Sequence, residues 1–256
     1  MPDPIDVFNP ENLFFETILF ALPLMSILFI HEMGHYFISK KHRIPTSLPY
    51  FLPIPPVLPN FNIGTIGAVI SSREPMPDKK SLFDVGIAGP LAGFIVAIPV
   101  TAIGIATAQI VPIVTIESLP AGETVFGSSL LIDILARIIL DIPQGFTIDM
   151  NPVLFAGWVG LLITSLNLLP AGQLDGGHIF RAVLGDKQKY AGFIAIVIMI
   201  FTGWLFFAIF IIFLIGFMHP PPLNDKTKLD NKRKLLFLLA LAILILSFIP
   251  YPIFVK

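Results

Sequence analysis

The chain has 256 residues, 55% of them apolar, with only 16 Lys and Arg and 17 Asp and Glu. Charged residues make up 13%, about half of the roughly 25% usual in soluble globular domains, and the mean hydropathy is +0.86. This excludes a freely soluble enzyme and a disordered chain, and a net charge of −1 without a basic block gives no sign of a nucleic-acid partner; what remains is an integral membrane protein, which the spans along the chain make a polytopic all-α bundle in the lipid bilayer.

In chain order, the first apolar run is Leu13 to Ile30, extending to Ile38, long enough to cross about 30 Å of hydrocarbon. Pro23 inside it predicts a kink. No Lys or Arg precedes Lys40, so a cleavable signal peptide is not expected. The run ends on His31-Glu32-Met33-Gly34-His35, an H-E-x-x-H pattern. On a helix, residues i and i+4 share a face, so both imidazoles can hold one Zn²⁺ with Glu32 beside them as a base. Ionisable groups at membrane depth are costly and mark function. With cysteine absent, further ligands must come from His, Asp or Glu.

Residues 40–80 differ in texture. Pro45, Pro49, Pro53, Pro55, Pro56 and Pro59 exclude a helix. Asn62 to Ser72 is rich in Gly and β-branched residues and predicts a strand or hairpin. Open backbone of this kind belongs in the interface or a hydrated cavity. A second span is predicted from Leu82 to Ala108. Its Gly86, Gly89 and Gly93 form a small-residue face on which another helix can pack closely. Val125 to Leu140 is shorter and amphipathic, with Asp133 and Arg137 one turn apart, as in an interfacial helix.

The third span is Val153 to Leu169, inside a segment 153–184 that carries Asn167-Leu-Leu-Pro170 and Leu174-Asp175-Gly176. Pro170, Gly172, Gly176 and Gly177 loosen the backbone there. Asp175 in such a stretch needs a partner: a cation, or the N-terminus of a following helix from Gly176 to Leu184, which it would cap. His178, one turn on, is either a metal-supporting residue or an ordinary helix-face histidine. Tyr190 to Met218 is long enough for one tilted span and short for two. Leu235 to Phe248 is the last, giving five spans, with six as the alternative. His42 and His219 read as interfacial.

Basic residues near span ends set orientation. Lys40, Lys41 and Arg43 follow the first span, while residues 109–151 hold one basic residue and five acids. This puts the start of the chain outside and the end of the first span in the cytoplasm. Residues 219–234 break the pattern, because five basic residues there would face outward.

The H-E-x-x-H, N-x-x-P and L-D-G motifs together resemble the site-2 protease family of intramembrane zinc metalloproteases. Gly64-Thr-Ile-Gly-Ala68 and Ala88-Gly-Pro-Leu-Ala-Gly93 resemble family segments between them. With Asp84 to Pro90, they are closest to the branch of prokaryotic and plant plastid members. The resemblance covers about Leu13 to Leu184. It implies Zn²⁺ held by His31, His35 and Asp175, Glu32 as general base, and Asn167 contacting substrate backbone or oxyanion. It implies peptide hydrolysis within or near the spans of single-span membrane proteins, with the site toward the cytoplasm. The inserted PDZ-like domain, the appended CBS-like domain and the further N-terminal span of some members are not expected. The alternatives are a metal transporter or metal-binding protein, an inactive scaffold homologue, and a membrane-bound peptidase of soluble peptides. A transit site has no need of Glu32, and no inverted repeat is visible.

Overall fold

The computed structural model describes residues 10–53, 65–70, 75–113, 124–216 and 218–255, which are mostly helical with three small sheets. Helix α1, Pro10–Lys41, continues through Pro23 and ends on Lys40 and Lys41. It buries Leu24, Ile27, Leu28 and His31 and exposes Leu13, Phe14, Phe15, Leu22 and Phe37, the apolar exterior expected of a helix that meets lipid. After it, strand β1 (Tyr50–Pro53) pairs antiparallel with β2 (Thr65–Val69), Tyr50 opposite Val69. The strand predicted within 62–72 is thus present over 65–69. Its flanks, together with Pro55, Pro56 and Pro59, lie outside the described residues.

Helix α2, Lys79–Ala106, starts on a capping box. Asp78 accepts the amides of Lys80 and Ser81, and the Ser81 hydroxyl accepts the Asp78 amide. It passes through Pro90 and Pro99. Its far end connects to β3 (Ile110–Pro112), which pairs with β5 (Phe146–Ile148). Between them, α3 (Leu130–Ile139) buries Leu131, Ile132 and Ala136 and leaves Asp133 and Arg137 exposed, as an interfacial helix should. Helix α4, Pro152–Asn167, packs against both α1 and α2, which also pack directly on each other. A Cβ on Gly104 would lie 2.5 Å from the Leu154 backbone, and one on Gly160 would lie 2.7 Å from Ile27. Trp158, fully buried on α4, donates its indole N–H to the Gly127 carbonyl at 2.6 Å.

The chain then continues as α5 (Asp175–Leu184), α6 (Gln188–Phe201), α7 (Leu205–Phe210) with a π-helical turn at Ile211–Ile215, and α8 (Asn231–Ser247). Finally, β6 (Ile253–Val255) pairs with β4 (Thr124–Phe126). By length and composition α1 and α2 are each able to cross a membrane, and α4 is a shorter apolar helix. Helix length alone therefore gives two spans among the described residues, not five.

The apolar run from Tyr190 to Met218 is not one helix. It breaks at Thr202–Trp204, where Gly203 has φ +79°, and α7 turns back. At the break, the Tyr251 amide donates to the Thr202 carbonyl at 2.8 Å and the Trp204 indole to the Ile249 carbonyl at 2.9 Å. The returning leg brings residues 219–234 to the end of the molecule where α2 begins. There the amides of Leu223 and Asn224 donate to the carbonyls of Met76 and Pro77. That end also carries the end of α1, because His42 pairs with Asp84 at 2.9 Å. The five basic residues of 219–234 thus share an end with Lys40, Lys41 and Arg43. One tilted span through 190–218 would have put them at the opposite end; the turn at Gly203 brings them to this one.

Candidate metal centre

His31 and His35 face the same side of α1, with ring centroids 4.9 Å apart. Asp175 opens α5 and comes to them from the other end of the chain. Its Oδ2 lies 3.2 Å from His31 Nε2 and 3.3 Å from His35 Nε2. The two Nε2 atoms are themselves 3.2 Å apart. Three donors form a nearly equilateral triangle, and that is the fit a metal requires. Ligands at about 2.0–2.1 Å from a tetrahedral zinc sit roughly 3.3 Å from one another. Among the described residues these three form the one group of His, Asp and Glu with such a geometry.

The triangle is built by close backbone approach. His35 Nδ1–H donates to the Val85 carbonyl of α2 at 2.8 Å. This fixes the tautomer that leaves Nε2 as acceptor, the usual support for a ligating imidazole. The glycines of α2 form the wall. A Cβ on Gly89 would meet His35 Nε2 at 2.0 Å, one on Gly93 the His31 ring at 3.1 Å, and one on Gly86 the His178 Cβ at 2.7 Å. The small-residue face does pack the second span against the first, as its spacing suggested. It also forms a socket for both imidazoles, a role the spacing did not reveal.

Asp175 does not cap α5. The N-cap is Leu174, without a side-chain hydrogen bond, so the carboxylate is left to the histidines. The Gly176-Gly177 pair makes its approach possible. A Cβ on Gly176 would lie 2.0 Å from the Leu168 carbonyl oxygen, and one on Gly177 2.1 Å from that of Gly172. Only glycine lets the first turn of α5 fold so tightly on the strand of chain leaving α4. His31 is 4% exposed, and the side chains of His35 and Asp175 are 12% and 16% exposed. The centre is enclosed but not sealed. By helix rise, His31 lies about 15 Å from the Lys41 end of α1.

Glu32 is half-buried beside the pair, and Asn167 is the last residue of α4, also half-buried. His178 does not join the triangle. Its Nδ1–H donates to the Leu174 carbonyl at 3.0 Å, and its ring packs on His219 with centroids 4.3 Å apart. Burial, and after it the neighbouring His178, lowers the pKa of His219 to about 4. Both His42 and His219 have partners. His42 joins Asp84, which also receives Arg233 of α8 through Nε at 2.8 Å and Nη2 at 2.5 Å. That node ties α1, α2 and α8 together. Nothing in local sequence signals a pairing 149 residues apart.

Residues 19–209 match the family model described as Peptidase family M50. The probable zinc metalloprotease EGY1, chloroplastic, of Arabidopsis thaliana is 28% identical over 261 residues, covering 97% of this chain and 46% of that protein. The probable zinc metalloprotease EGY2, chloroplastic, of the same plant is 29% identical over 258 residues, covering 98% and 45%. The EGY1 protein of Oryza sativa subsp. japonica is 27% identical over 246 residues, covering 90% and 40%. The chain spans less than half the length of these relatives.

Proposed function

From the premise that the chain belongs to peptidase family M50, the family of site-2 proteases, we propose that it is a zinc-dependent endopeptidase. It hydrolyses peptide bonds within or near the membrane spans of single-span proteins. The observation that carries the reading is the triangle of His31 Nε2, His35 Nε2 and Asp175 Oδ2, with sides of 3.2 and 3.3 Å. These three residues hold the zinc.

Zinc bound there supplies a Lewis acid that makes water nucleophilic near neutral pH and polarises the scissile carbonyl. Glu32, adjacent to His31 on the same helix, takes the proton of the attacking water and returns it to the departing nitrogen. Asn167 gives a polar contact to the substrate backbone or the developing oxyanion. A helical substrate hides its amides in i to i−4 bonds and must unwind before attack. Strand β2 receives the unwound stretch by edge pairing, opposite its β1 side. The chain crosses the bilayer five or six times, α6 and α7 forming a helical hairpin. The end carrying Lys40, Lys41, Arg43 and residues 219–234 faces the cytoplasm, as the concentration of basic residues there supports. Water reaches the centre from that side.

The test is zinc content and cleavage measured on the same detergent-purified samples, with a tagged single-span protein and its soluble fragment as substrates. Wild type should hold one zinc and cleave the spanning form. Glu32→Gln should keep zinc and lose turnover by roughly 10²–10⁴-fold. Asp175→Asn with full zinc and full activity would overturn the ligand set.

A further inference from the structure

Gln188 opens α6 and is 1% exposed. Its carboxamide is engaged at both ends by main chain from two separate segments. Nε2 donates to the Pro170 carbonyl at 2.7 Å, and Oε1 accepts the His219 amide at 3.1 Å. The Pro170 carbonyl belongs to the short connection that delivers Asp175. That connection is held from two sides. On one side, Gly176 and Gly177 of α5 rest against the carbonyls of Leu168 and Gly172. On the other, a Cβ on Gly172 would lie 2.3 Å from the Gly216 carbonyl oxygen, in the segment that follows α7. The rings of His178 and His219 meet 4.3 Å apart just beyond. His35, by contrast, is fixed from α2 through the Val85 carbonyl. Both halves of the triangle lean on α2, since a Cβ on Gly86 would lie 3.1 Å from the Asp175 carbonyl oxygen, but the connection that leads into Asp175 has a further support of its own, through Gln188.

We propose that Gln188 is a positioning residue that sets Asp175 against His31 and His35 by clamping the Pro170 carbonyl to the His219 amide. The inference rests on the metal-centre reading above. The clamp needs both a donor and an acceptor, and a carboxamide offers them from two separate atoms, Nε2 and Oε1. Glutamate at 188 keeps the acceptor for His219 and loses the donor for Pro170, while methionine loses both at similar volume. In either case the connection relaxes and Asp175 drifts from the histidines, with no change in the ligands themselves.

The experiment measures zinc affinity by chelator competition and the visible spectrum of the Co²⁺-substituted protein, on wild type, Gln188→Glu, Gln188→Met and Asp225→Asn in detergent. Asp225 receives Arg181 at 2.8 Å and ties the same segment to α5 away from the clamp, so Asp225→Asn reports on general tethering. Both Gln188 variants should bind zinc roughly 10- to 100-fold more weakly and alter the tetrahedral Co²⁺ bands, while Asp225→Asn stays close to wild type. Wild-type affinity and spectrum in whichever Gln188 variant folds would overturn the proposal and leave the metal-centre reading standing. Equal weakening by Asp225→Asn would also overturn it, because the effect would then belong to the segment as a whole. A wild-type protein that binds no zinc would remove both readings together.

Discussion

Gly89 and the His35 ring fit together only because the glycine has no side chain: a Cβ there would lie 2.0 Å from the Nε2 through which the histidine faces Asp175. The helix that carries no ligand therefore defines the ligand geometry. Gly89→Ala should weaken metal binding by at least the roughly 10- to 100-fold seen when groups supporting a ligand are disturbed. Gly93→Ala, whose Cβ would stand 3.1 Å from the His31 ring, should be milder. Zinc titration of the two variants checks the order; a reversed order would refute the socket.

Zinc removal should be felt by the fold as well as by the chemistry. A ligand at a thousand times its dissociation constant stabilises by about 4 kcal/mol. Adding a strong chelator to the wild type should lower its unfolding temperature in detergent. The same chelator should leave Asp175→Asn unmoved, since that variant has already lost the site.

Asp84 is the junction of three helix ends, receiving His42 and Arg233. Its replacement by alanine removes the His42 partner and one of the two carboxylates that Arg233 meets, the other being Asp230, and charged hydrogen bonds contribute about 2 kcal/mol. Asp84→Ala and Arg233→Met should each destabilise, and the double variant should be little worse than either. Additive losses in the double-mutant cycle would show that the contact is not coupled.

Acid should release the start of α2. Burial pushes the Asp78 carboxyl up, but the Ser81 amide and hydroxyl and the Lys80 amide outweigh it, leaving the pKa lowered. A carboxyl with a lowered folded pKa stabilises above its unfolded value, about 3.9, and that contribution is lost as pH falls through the folded value. Asp78→Ala should lose about 1 kcal/mol at neutral pH. Its gap from the wild type should narrow as the pH drops below about 4.

Strand β2 offers a direct test of substrate docking. Proline at Ile66 or Ala68 removes a main-chain donor from the 65–69 strand. Cleavage should fall while zinc content stays normal. Unimpaired cleavage in both variants would end the edge-pairing idea.

The histidine pair was legible in the sequence because ionisable groups closing an apolar run demand a partner, whereas Asp175 stood between a cation and a helix cap and joined the set only through the family resemblance. The strand at 65–69 was legible from composition, since glycine and β-branched residues follow a proline-rich stretch that excludes a helix. The turn at Gly203 was hidden. Thr202 and Gly203 are the weak breakers in a long apolar run, and a lone glycine is tolerated inside helices. Missing that turn inverted the expected position of residues 219–234. Gln188 was invisible as well, because its partners are main-chain groups of Pro170 and His219, and main-chain pairing across distant segments leaves no mark in residue type.

The pairing of Thr124–Phe126 with Ile253–Val255 has a consequence for biogenesis. This ribbon joins one end of the amphipathic helix region to residues translated some 130 positions later, so it cannot close while the ribosome is still at work on α8. The Trp204 indole and the Thr202 carbonyl wait for Ile249 and Tyr251 in the same way. The metal centre needs nothing beyond Asp175 and its supports through His219. Synthesis thus runs ahead at the metal centre and behind at this ribbon, where a nascent chain presents unpaired strand and indole groups until residues 249–255 emerge. That ribbon is where a chaperone or an aggregation partner would find the unfinished protein.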